Sequence, residues 1–301
     1  MGVEFPKKIN IREVGPRDGL QNEEKMIPLE AKVKWINMLS ETGTPYIEVT
    51  SFVHPKWIPQ LKDATEVSKL IKRNPNITYA ALVPNLKGLR RALEVDIDEV
   101  CLFISASETH NKHNINRSIS ETLPILESVS KVAKKEGKTI RGYVSTVFGC
   151  PYEGKVDIGK VIEICDNLFK MGIDELSIGD TIGVANPEQV KRVILELMTH
   201  FPKDKIAMHF HNTRGTALAN VLMALSLGIT NFDSAVGGLG GCPYAEGASG
   251  NLATEDLLYM VHRMGIETGI NENKIMEAAL YIEEYVQNLS SHQMKILKRE
   301  R

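Results

Sequence analysis

Eight times along this chain a short apolar, β-rich run is followed by an amphipathic helical pattern, and this alternation restricts the fold more than any other feature. The strand readings are Ile9–Val14, Tyr46–Thr50, Thr78–Val83, Glu99–Ile104, Ile140–Thr146, Glu175–Ile178, Ile206–Phe210 and Asn231–Ala235. The helices that follow them are Leu29–Glu41, Thr65–Arg73, Leu86–Glu94, Ile119–Glu136, Ile158–Met171, Pro187–His200, Gly215–Leu227 and Thr254–Met264. Pro28 and Pro187 suit first-turn positions, and Gly137, Gly172 and Gly228 stand where a left-handed residue closes a helix. Strand–helix repetition favours parallel pairing, because each return to the sheet uses a crossover. Eight such units in 301 residues point to an α/β fold, a (β/α)8 TIM barrel, rather than an open doubly wound sheet. The dinucleotide-binding open sheet would carry G-x-G-x-x-G after its first strand, and Gly15-Pro16-Arg17-Asp18-Gly19 does not fit. A single catalytic domain is expected over residues 1–301, with the barrel at about 8–265 and a C-terminal helical extension at about 266–301. Within the extension Glu272–Leu289 reads as helix and Lys295–Arg301 as a charged end that frays.

The bulk properties exclude several classes of function. A chain with 43% hydrophobic and 25% charged residues builds a large core without staples, and a net charge of -2 gives no reason to expect nucleic acid as a partner. No apolar run approaches a membrane span, and no hydrophobic signal region or Arg/Ser-rich presequence is recognisable, so a cytoplasmic location is expected. The four cysteines, Cys101, Cys150, Cys165 and Cys242, lack zinc or redox spacing and read as free thiols. Cys101 and Cys165 fall in apolar patterns and are expected in the core, whereas Cys150 lies near the rim and stays open between roles.

A barrel of this kind gathers its chemistry at the C-terminal ends of the strands. Those ends carry Arg17 and Asp18, Glu48 and Ser51, a polar loop from Ser105 to Asn114, Ser145 and Thr146, Asp180, and His209 with His211. After the eighth strand comes a glycine-rich run that ends at Asn251. His209 and His211 are two apart on a strand and point the same way, which makes them a ready pair of metal ligands. Taken alone, the pair could equally cap a strand and bond to backbone. Barrel closure makes strand eight the neighbour of strands seven and one, so Asp18, the histidines and Asn251 fall within one arc of the rim. Asp18 could also bond loop backbone, and Asn251 could be a turn or helix-cap residue. Together they offer a carboxylate, two imidazoles and an amide oxygen, which suits Mg²⁺ or Mn²⁺ first, with Zn²⁺ or Co²⁺ also accommodated. Such an ion would polarise a carbonyl and favour an alkoxide, the chemistry of carbon–carbon cleavage or formation through an enolate. Arg17 would supply positive charge to the enolate oxygen, or pair with Glu48 across adjacent strand ends; the two roles are compatible.

The run from Gly237 to Asn251 holds six glycines and Cys242. A mobile backbone bearing one thiol could close over a ligand and deliver a proton, or it could be a surface loop with an incidental cysteine. Asp180 reads either as a substrate-site carboxylate or as a turn residue that binds local amides. In the loop Ser107–Asn114, Lys112 or His113 could meet a charged substrate tail, or simply be solvated.

Several segments resemble the 3-hydroxy-3-methylglutaryl-CoA (HMG-CoA) lyase family, and the resemblance runs along almost the whole chain. They are Val14-Gly15-Pro16-Arg17-Asp18-Gly19-Leu20-Gln21-Asn22, Ile47-Glu48-Val49-Thr50-Ser51-Phe52-Val53, Pro55–Gln60, Ser105–Asn111 and Gly179-Asp180-Thr181-Ile182-Gly183. The most specific is Gly238-Leu239-Gly240-Gly241-Cys242-Pro243-Tyr244-Ala245 with Gly247-Ala248-Ser249-Gly250-Asn251. The resemblance implies a TIM barrel that cleaves HMG-CoA to acetyl-CoA and acetoacetate with Mg²⁺ or Mn²⁺, in a setting of leucine breakdown. It implies metal binding by Asp18, His209, His211 and Asn251, and catalytic or substrate roles for Arg17, Asp18, Glu48 and Cys242. Gln21, Ser51 and Asp180 become further substrate-site residues, the partner is an acyl-CoA, and a homodimer is expected. Unlike the family's mitochondrial members, this protein is expected to have no transit segment. It also has no cysteine beyond Cys242, which speaks against regulation through a tail thiol. Isopropylmalate- and homocitrate-type synthases share Arg-Asp-Gly and H-x-H-N, so those features do not separate the reactions; Gly-Gly-Cys-Pro-Tyr favours the lyase. A silent acyl-CoA-binding barrel would be expected to have lost a ligand or the acid, and none is missing.

Overall fold

The computed structural model describes residues 4–240, 250–287 and 289–300. Eight parallel strands close into a barrel in sequence order, β1 (Asn10–Glu13), β2 (Tyr46–Ser51), β3 (Thr78–Leu82), β4 (Glu99–Ser105), β5 (Thr139–Ser145), β6 (Glu175–Asp180), β7 (Ile206–Phe210) and β8 (Asn231–Ser234). β1 pairs with both β2 and β8, and its Asn10 to Glu13 lie in register with Asn231 to Ser234. In several strands an apolar side chain turned to the helices alternates with a charged one turned to the barrel interior, as Ile11 beside Arg12 in β1 and Phe232 beside Asp233 in β8. An outer layer follows the strands: α1 (Leu29–Ser40), α2 (Ala64–Leu70), α3 (Leu86–Leu93), α4 (Glu108–Ile115), α5 (Ile119–Lys135), α6 (Ile158–Lys170), α7 (Pro187–His200), α8 (Ala217–Ser226) and α9 (Thr254–Arg263). α10 (Glu272–Glu283) and α11 (His292–Glu300) complete it.

Local chemistry sets the helix starts. Ser118 and Glu121 form a reciprocal capping box on α5, and Asn186 accepts from the Gln189 amide ahead of Pro187 on α7. Gly137, Gly172 and Gly228 follow their helices with φ of 72°, 89° and 83°, as the sequence pattern expects. Two segments differ from that pattern. The polar stretch after β4 is helical as α4, not an open loop, because the Ser107 hydroxyl accepts the His110 amide and Asn116 adopts φ 54° at the other end. Residues 295 to 300, read from the sequence as a frayed end, belong to α11. Asp256 accepts from the amides of His292 and Gln293 at 3.0 and 2.9 Å, neutralising the exposed donors at the start of α11.

The main apolar core fills the layer between strands and helices, from Ile9 and Ile11 through Trp35 and Val144 to Ile282. Inside the barrel the packing is of another kind. Tyr46, Ala80, Leu82, Cys101 and Tyr143 form a separate small cluster on one side. Charged groups occupy the rest: Arg12, Arg141, Glu175 and Asp233 are interlocked by hydrogen bonds of 2.5 to 3.2 Å. Buried ions are tolerated only when paired in this way. Among the described residues no helix is long and apolar enough to cross a membrane.

Candidate active site

Immediately after β1 the chain coils tightly, with the amides of Asp18 and Gly19 both directed to the Val14 carbonyl at 2.8 and 3.4 Å. Wide turns of this sort re-aim side chains at functional sites. Here the coil turns Arg17 and Asp18 inward over the barrel mouth. Its root is held by Glu13, whose Oε1 accepts the amides of Gly15 and Val236 at 2.9 Å each. Burial pushes the Glu13 carboxyl up to about 7 against the bonds from Thr254, Val236 and Gly15.

Asp18 meets the histidines of β7 across the closure of the barrel. Its Oδ2 lies 3.9 Å from His209 Nε2 and 4.0 Å from His211 Nε2, and the donor atoms of the three residues all lie within 4.8 Å of one another. Asn251 reaches the same place because residues 250 to 252 run antiparallel along the end of β7. Asn212 N bonds Gly250 O at 2.8 Å and Leu252 N bonds Phe210 O at 3.0 Å. The Asn251 amide turns its nitrogen to Asp18 Oδ2 at 2.7 Å and to Leu239 O at 2.9 Å. As a ligand through oxygen, it would present the other end of the same amide. The four residues named from the sequence as metal ligands are therefore brought together.

The ionisation states of Asp18 and His211 suit metal binding. Burial would raise Asp18, but Arg17, His209, His211 and the Asn251 bond hold it down at about 2, so it is a carboxylate at neutral pH. Burial and the neighbouring His209 lower His211 to about 4, which leaves a neutral imidazole. His209 is also subject to burial, yet its bond to Asp233 and the charges of Asp233 and Asp18 leave it raised. Its Nδ1 lies 3.1 Å from Asp233 Oδ2, and a carboxylate only accepts, so Nδ1 carries the hydrogen and Nε2 faces Asp18 with its lone pair in the neutral ring. One carboxylate and two imidazole nitrogens converging in a buried setting fit a divalent ion of mixed oxygen and nitrogen preference.

Arg17 stands beside this group. It bonds Asp18 Oδ1 at 2.5 Å and Glu48 Oε2 at 2.8 Å, with only 6% of its side chain exposed. The pairing with Glu48 across the ends of β1 and β2 is the one the sequence allowed. Arg17 Nε and Glu48 Oε1 are buried without a partner, as are Ser145 Oγ and His211 Nδ1. Arg17, Ser145 and His211 line one cavity, and unmet polar atoms beside a cavity mark a place where a ligand can complete the bonding. Gln21 joins the group through its amide, which donates to Asp18 Oδ1 at 3.0 Å.

Two residues expected in the substrate site are placed differently. Asp180 gives both oxygens to a turn, accepting Val184 N at 2.9 Å and Ala185 N at 3.1 Å. Of its two sequence readings, this geometry corresponds to the turn residue. Ser51 is fully buried, and its hydroxyl accepts the Val53 amide at 3.3 Å. Cys242 lies outside the described residues. Cys101 and Cys165 are buried as expected, and the Cys150 thiol is buried against Ser107 Oγ at 2.9 Å. The sequence reading missed Tyr143, Arg141, Asp233 and Glu255. The signal for three of them was a charged or hydroxyl side chain inside a strand otherwise made for burial. Glu255 gave no such sign, since an acidic first turn is ordinary in a helix.

A cavity of about 640 Å³ opens over these groups. Arg17, Asp18, His209 and His211 line its floor, while Trp57 from the segment between β2 and α2, and His113 and Arg117 from the segment between β4 and α5, stand farther out. His113 stacks on Tyr152 at 4.3 Å, and Lys112 pairs with Glu108 at 3.5 Å.

Comparison with known proteins gives a consistent family. The HMGL-like family model matches residues 8–282. Hydroxymethylglutaryl-CoA lyase YngG of Bacillus subtilis is 57% identical over 98% of this chain and 99% of its own length. The crystal structure of the Bacillus subtilis HMG-CoA lyase superposes with a TM-score of 0.96 at 57% identity, covering 98% of this chain and 99% of that one. An HMG-CoA lyase from Acinetobacter baumannii, solved with coenzyme A and 3-methylmalate, gives a TM-score of 0.92 at 40% identity over 98% and 96% of the two chains.

Proposed function

The chain belongs to the HMGL-like family, and from that premise we propose that it is a carbon–carbon lyase which cleaves HMG-CoA to acetyl-CoA and acetoacetate. The observation that carries the reading is the convergence of Asp18, His209 and His211 within 4.8 Å on a cavity floor that also bears Arg17. A relative that shares more than half of its residues with this chain over almost the full length carries the lyase name.

The family is divalent-metal-dependent, and Asp18, His209 and His211, with Asn251 through its oxygen, would hold the ion. Mg²⁺ or Mn²⁺ is the proposed choice, since a carboxylate and an amide oxygen sit beside the two imidazoles. A bound divalent ion supplies Lewis acidity, which favours the alkoxide of the substrate's tertiary hydroxyl. Asp18, or a group it orients, is the proposed base that takes the hydroxyl proton, and the neighbouring residues handle the charge that develops. Arg17, fixed between Asp18 and Glu48, places a buried positive charge where the thioester enolate develops as the bond breaks. Glu48 orients that guanidinium and balances its charge. Gln21 steadies Asp18 from the cavity side. Cys242 is the proposed acid that protonates the enolate carbon, and Ser51 and Asp180 contribute by shaping the ends of β2 and β6. The outer cavity wall with Trp57, His113 and Arg117 suits an acyl-CoA, whose long carrier is amphipathic and whose phosphates are anionic.

A homodimer in the cytoplasm, serving leucine breakdown, is the proposed setting by family resemblance. The chain is proposed to act as one catalytic unit, with the barrel at about 8–265 and the extension at about 266–301. The test is an assay of purified protein with HMG-CoA, with and without EDTA and added Mn²⁺. Metal-dependent release of acetoacetate is expected. No acetoacetate under any metal overturns the reading, and condensation that depends on a 2-oxoacid points to a synthase.

A further inference from the structure

Beneath the metal ligands and the Arg17–Glu48 pair lies one guanidinium whose hydrogen bonds lead to both. Arg141, in β5, has a side chain 0% exposed. Its Nε donates to Glu175 Oε1 at 2.7 Å. Nη2 donates to Asp233 Oδ1 at 2.6 Å, and Nη1 is shared between Asp233 Oδ2 at 3.2 Å and the Tyr143 hydroxyl at 2.9 Å.

One branch leads to the metal side. Asp233 is gripped at both oxygens by the guanidinium, and its Oδ2 also takes the Ser177 hydroxyl at 2.7 Å and His209 Nδ1 at 3.1 Å. A carboxylate held in this way fixes which His209 nitrogen carries the hydrogen. The other branch leads to the cation side. The Tyr143 oxygen accepts from Arg141, so its single hydrogen is free to go to Glu48 Oε2 at 2.9 Å, the oxygen that also holds Arg17. Two guanidiniums lie near the Tyr143 ring, with Arg17 Cζ 5.1 Å and Arg141 Cζ 4.9 Å from its centre. β-strand alternation makes this possible, because Arg141 and Tyr143 are two apart on β5 and face the interior together.

We propose that Arg141 is a positioning residue that orients His209 through Asp233 and the Arg17–Glu48 pair through Tyr143, and so holds the two halves of the site in one geometry. A planar fork of fixed donors is required for this. A lysine ammonium carries the same charge but is a compact point donor on a flexible stem, and cannot hold the three acceptors in register. The turnover part of the inference rests on the lyase reading; the metal part does not.

The test compares Arg141→Lys, Asp233→Asn and Tyr143→Phe with the parent protein. Mn²⁺ affinity is read without substrate by calorimetry or electron paramagnetic resonance, kcat and KM are read with HMG-CoA, and melting temperature controls for folding. Asp233→Asn is expected to weaken Mn²⁺ binding about 10- to 100-fold, the usual effect of losing a ligand's carboxylate partner. Tyr143→Phe is expected to leave Mn²⁺ affinity within about twofold and to lower kcat roughly tenfold with little change in KM, because the hydroxyl serves the cation that meets the transition state. Arg141→Lys is expected to show both defects together. A folded Arg141→Lys protein with parental Mn²⁺ affinity and kcat overturns the proposal. Should that variant not fold, parental Mn²⁺ affinity in Asp233→Asn, or parental kcat in Tyr143→Phe, overturns it instead. If the parent binds Mn²⁺ but does not cleave HMG-CoA, the lyase reading fails, and the Asp233→Asn measurement still decides the metal branch.

Discussion

Asn251 donates its side-chain amide to Asp18 at 2.7 Å, a contact that joins two residues 233 positions apart. Closure of β8 onto β1 makes the contact, and Gly240 makes room for it. A β-carbon at Gly240 would lie 2.6 Å from Asn251 Nδ2 and 3.1 Å from the Asp18 carbonyl, and the glycine has φ of 99°. Gly240→Ala is therefore expected to displace Asn251 or Asp18 and to weaken Mn²⁺ binding by about tenfold, with the fold retained, since non-glycine residues rarely adopt such a φ. Calorimetric titration of Mn²⁺ into the variant checks this. Parental affinity would separate Asn251 from metal binding.

Arg17→Met removes a guanidinium that touches both Asp18 and Glu48. Loss of a preorganised charge at a developing oxyanion is expected to lower kcat roughly 10²- to 10³-fold. It also strands Glu48, a fully buried carboxylate. The double variant Arg17→Met with Glu48→Gln is expected to recover the melting temperature while remaining inactive, which separates the catalytic role from the charge balance. Recovery of turnover in the double variant would contradict the assignment.

The root of the glycine-rich run is gripped by two acids with displaced ionisation. Glu13 accepts the Val236 amide at 2.9 Å, and Glu255 accepts the Gly237 amide at 2.9 and 3.1 Å. Burial raises Glu13 to about 7 and, with repulsion from Glu13 and Asp256, raises Glu255 to about 8. A carboxyl raised in the folded state binds its proton more tightly there than in the unfolded chain. Its stabilising contribution is complete below the unfolded value near 4.5 and is lost as pH rises through the folded value. These two acids therefore lower the melting temperature as pH rises, opposed up to about pH 6.5 by His110 and His211, which burial lowers to about 4, so the fall is expected chiefly between about pH 6.5 and pH 8. Glu255→Gln should flatten that slope. An unchanged slope in the variant would show that Glu255 does not titrate in this window.

Cys242→Ser tests the thiol that the sequence alone supplies. Turnover should drop sharply, by about 10²-fold or more for loss of a positioned acid, while Mn²⁺ affinity stays at the parental value. Near-parental turnover would remove Cys242 from the chemistry.

Chelation gives the simplest check of the site as a whole. EDTA should abolish acetoacetate release and Mn²⁺ should restore it, whereas Asp18→Asn should respond to neither treatment, because the variant lacks the one anionic ligand. Substantial turnover in Asp18→Asn at saturating Mn²⁺ would count against Asp18 as a ligand.

Much of this was legible in the order of residues. Hydrophobic period and turn chemistry are local, so the sequence by itself determined the eight strand–helix units, their barrel closure and the rim that carries Arg17, Asp18, Glu48, His209 and His211. The same local reading made the stretch after β4 a loop and the C-terminus a frayed end, because the Ser107 cap and the Asp256 anchor act on them from outside the periodic pattern. Strand alternation says that Arg141, Tyr143 and Asp233 face inward, but not at which depth or against which partner. Those are fixed by stagger around the barrel, which brings β5, β2 and β8 to a common centre. Only the tertiary structure decided that one buried guanidinium serves both halves of the site, that Asp180 spends its oxygens on a turn, and that Asn251 turns its nitrogen toward Asp18. The physical reason is common to all three. A buried polar atom takes whichever partner the closed barrel places within reach, and no periodicity in the chain records that distance.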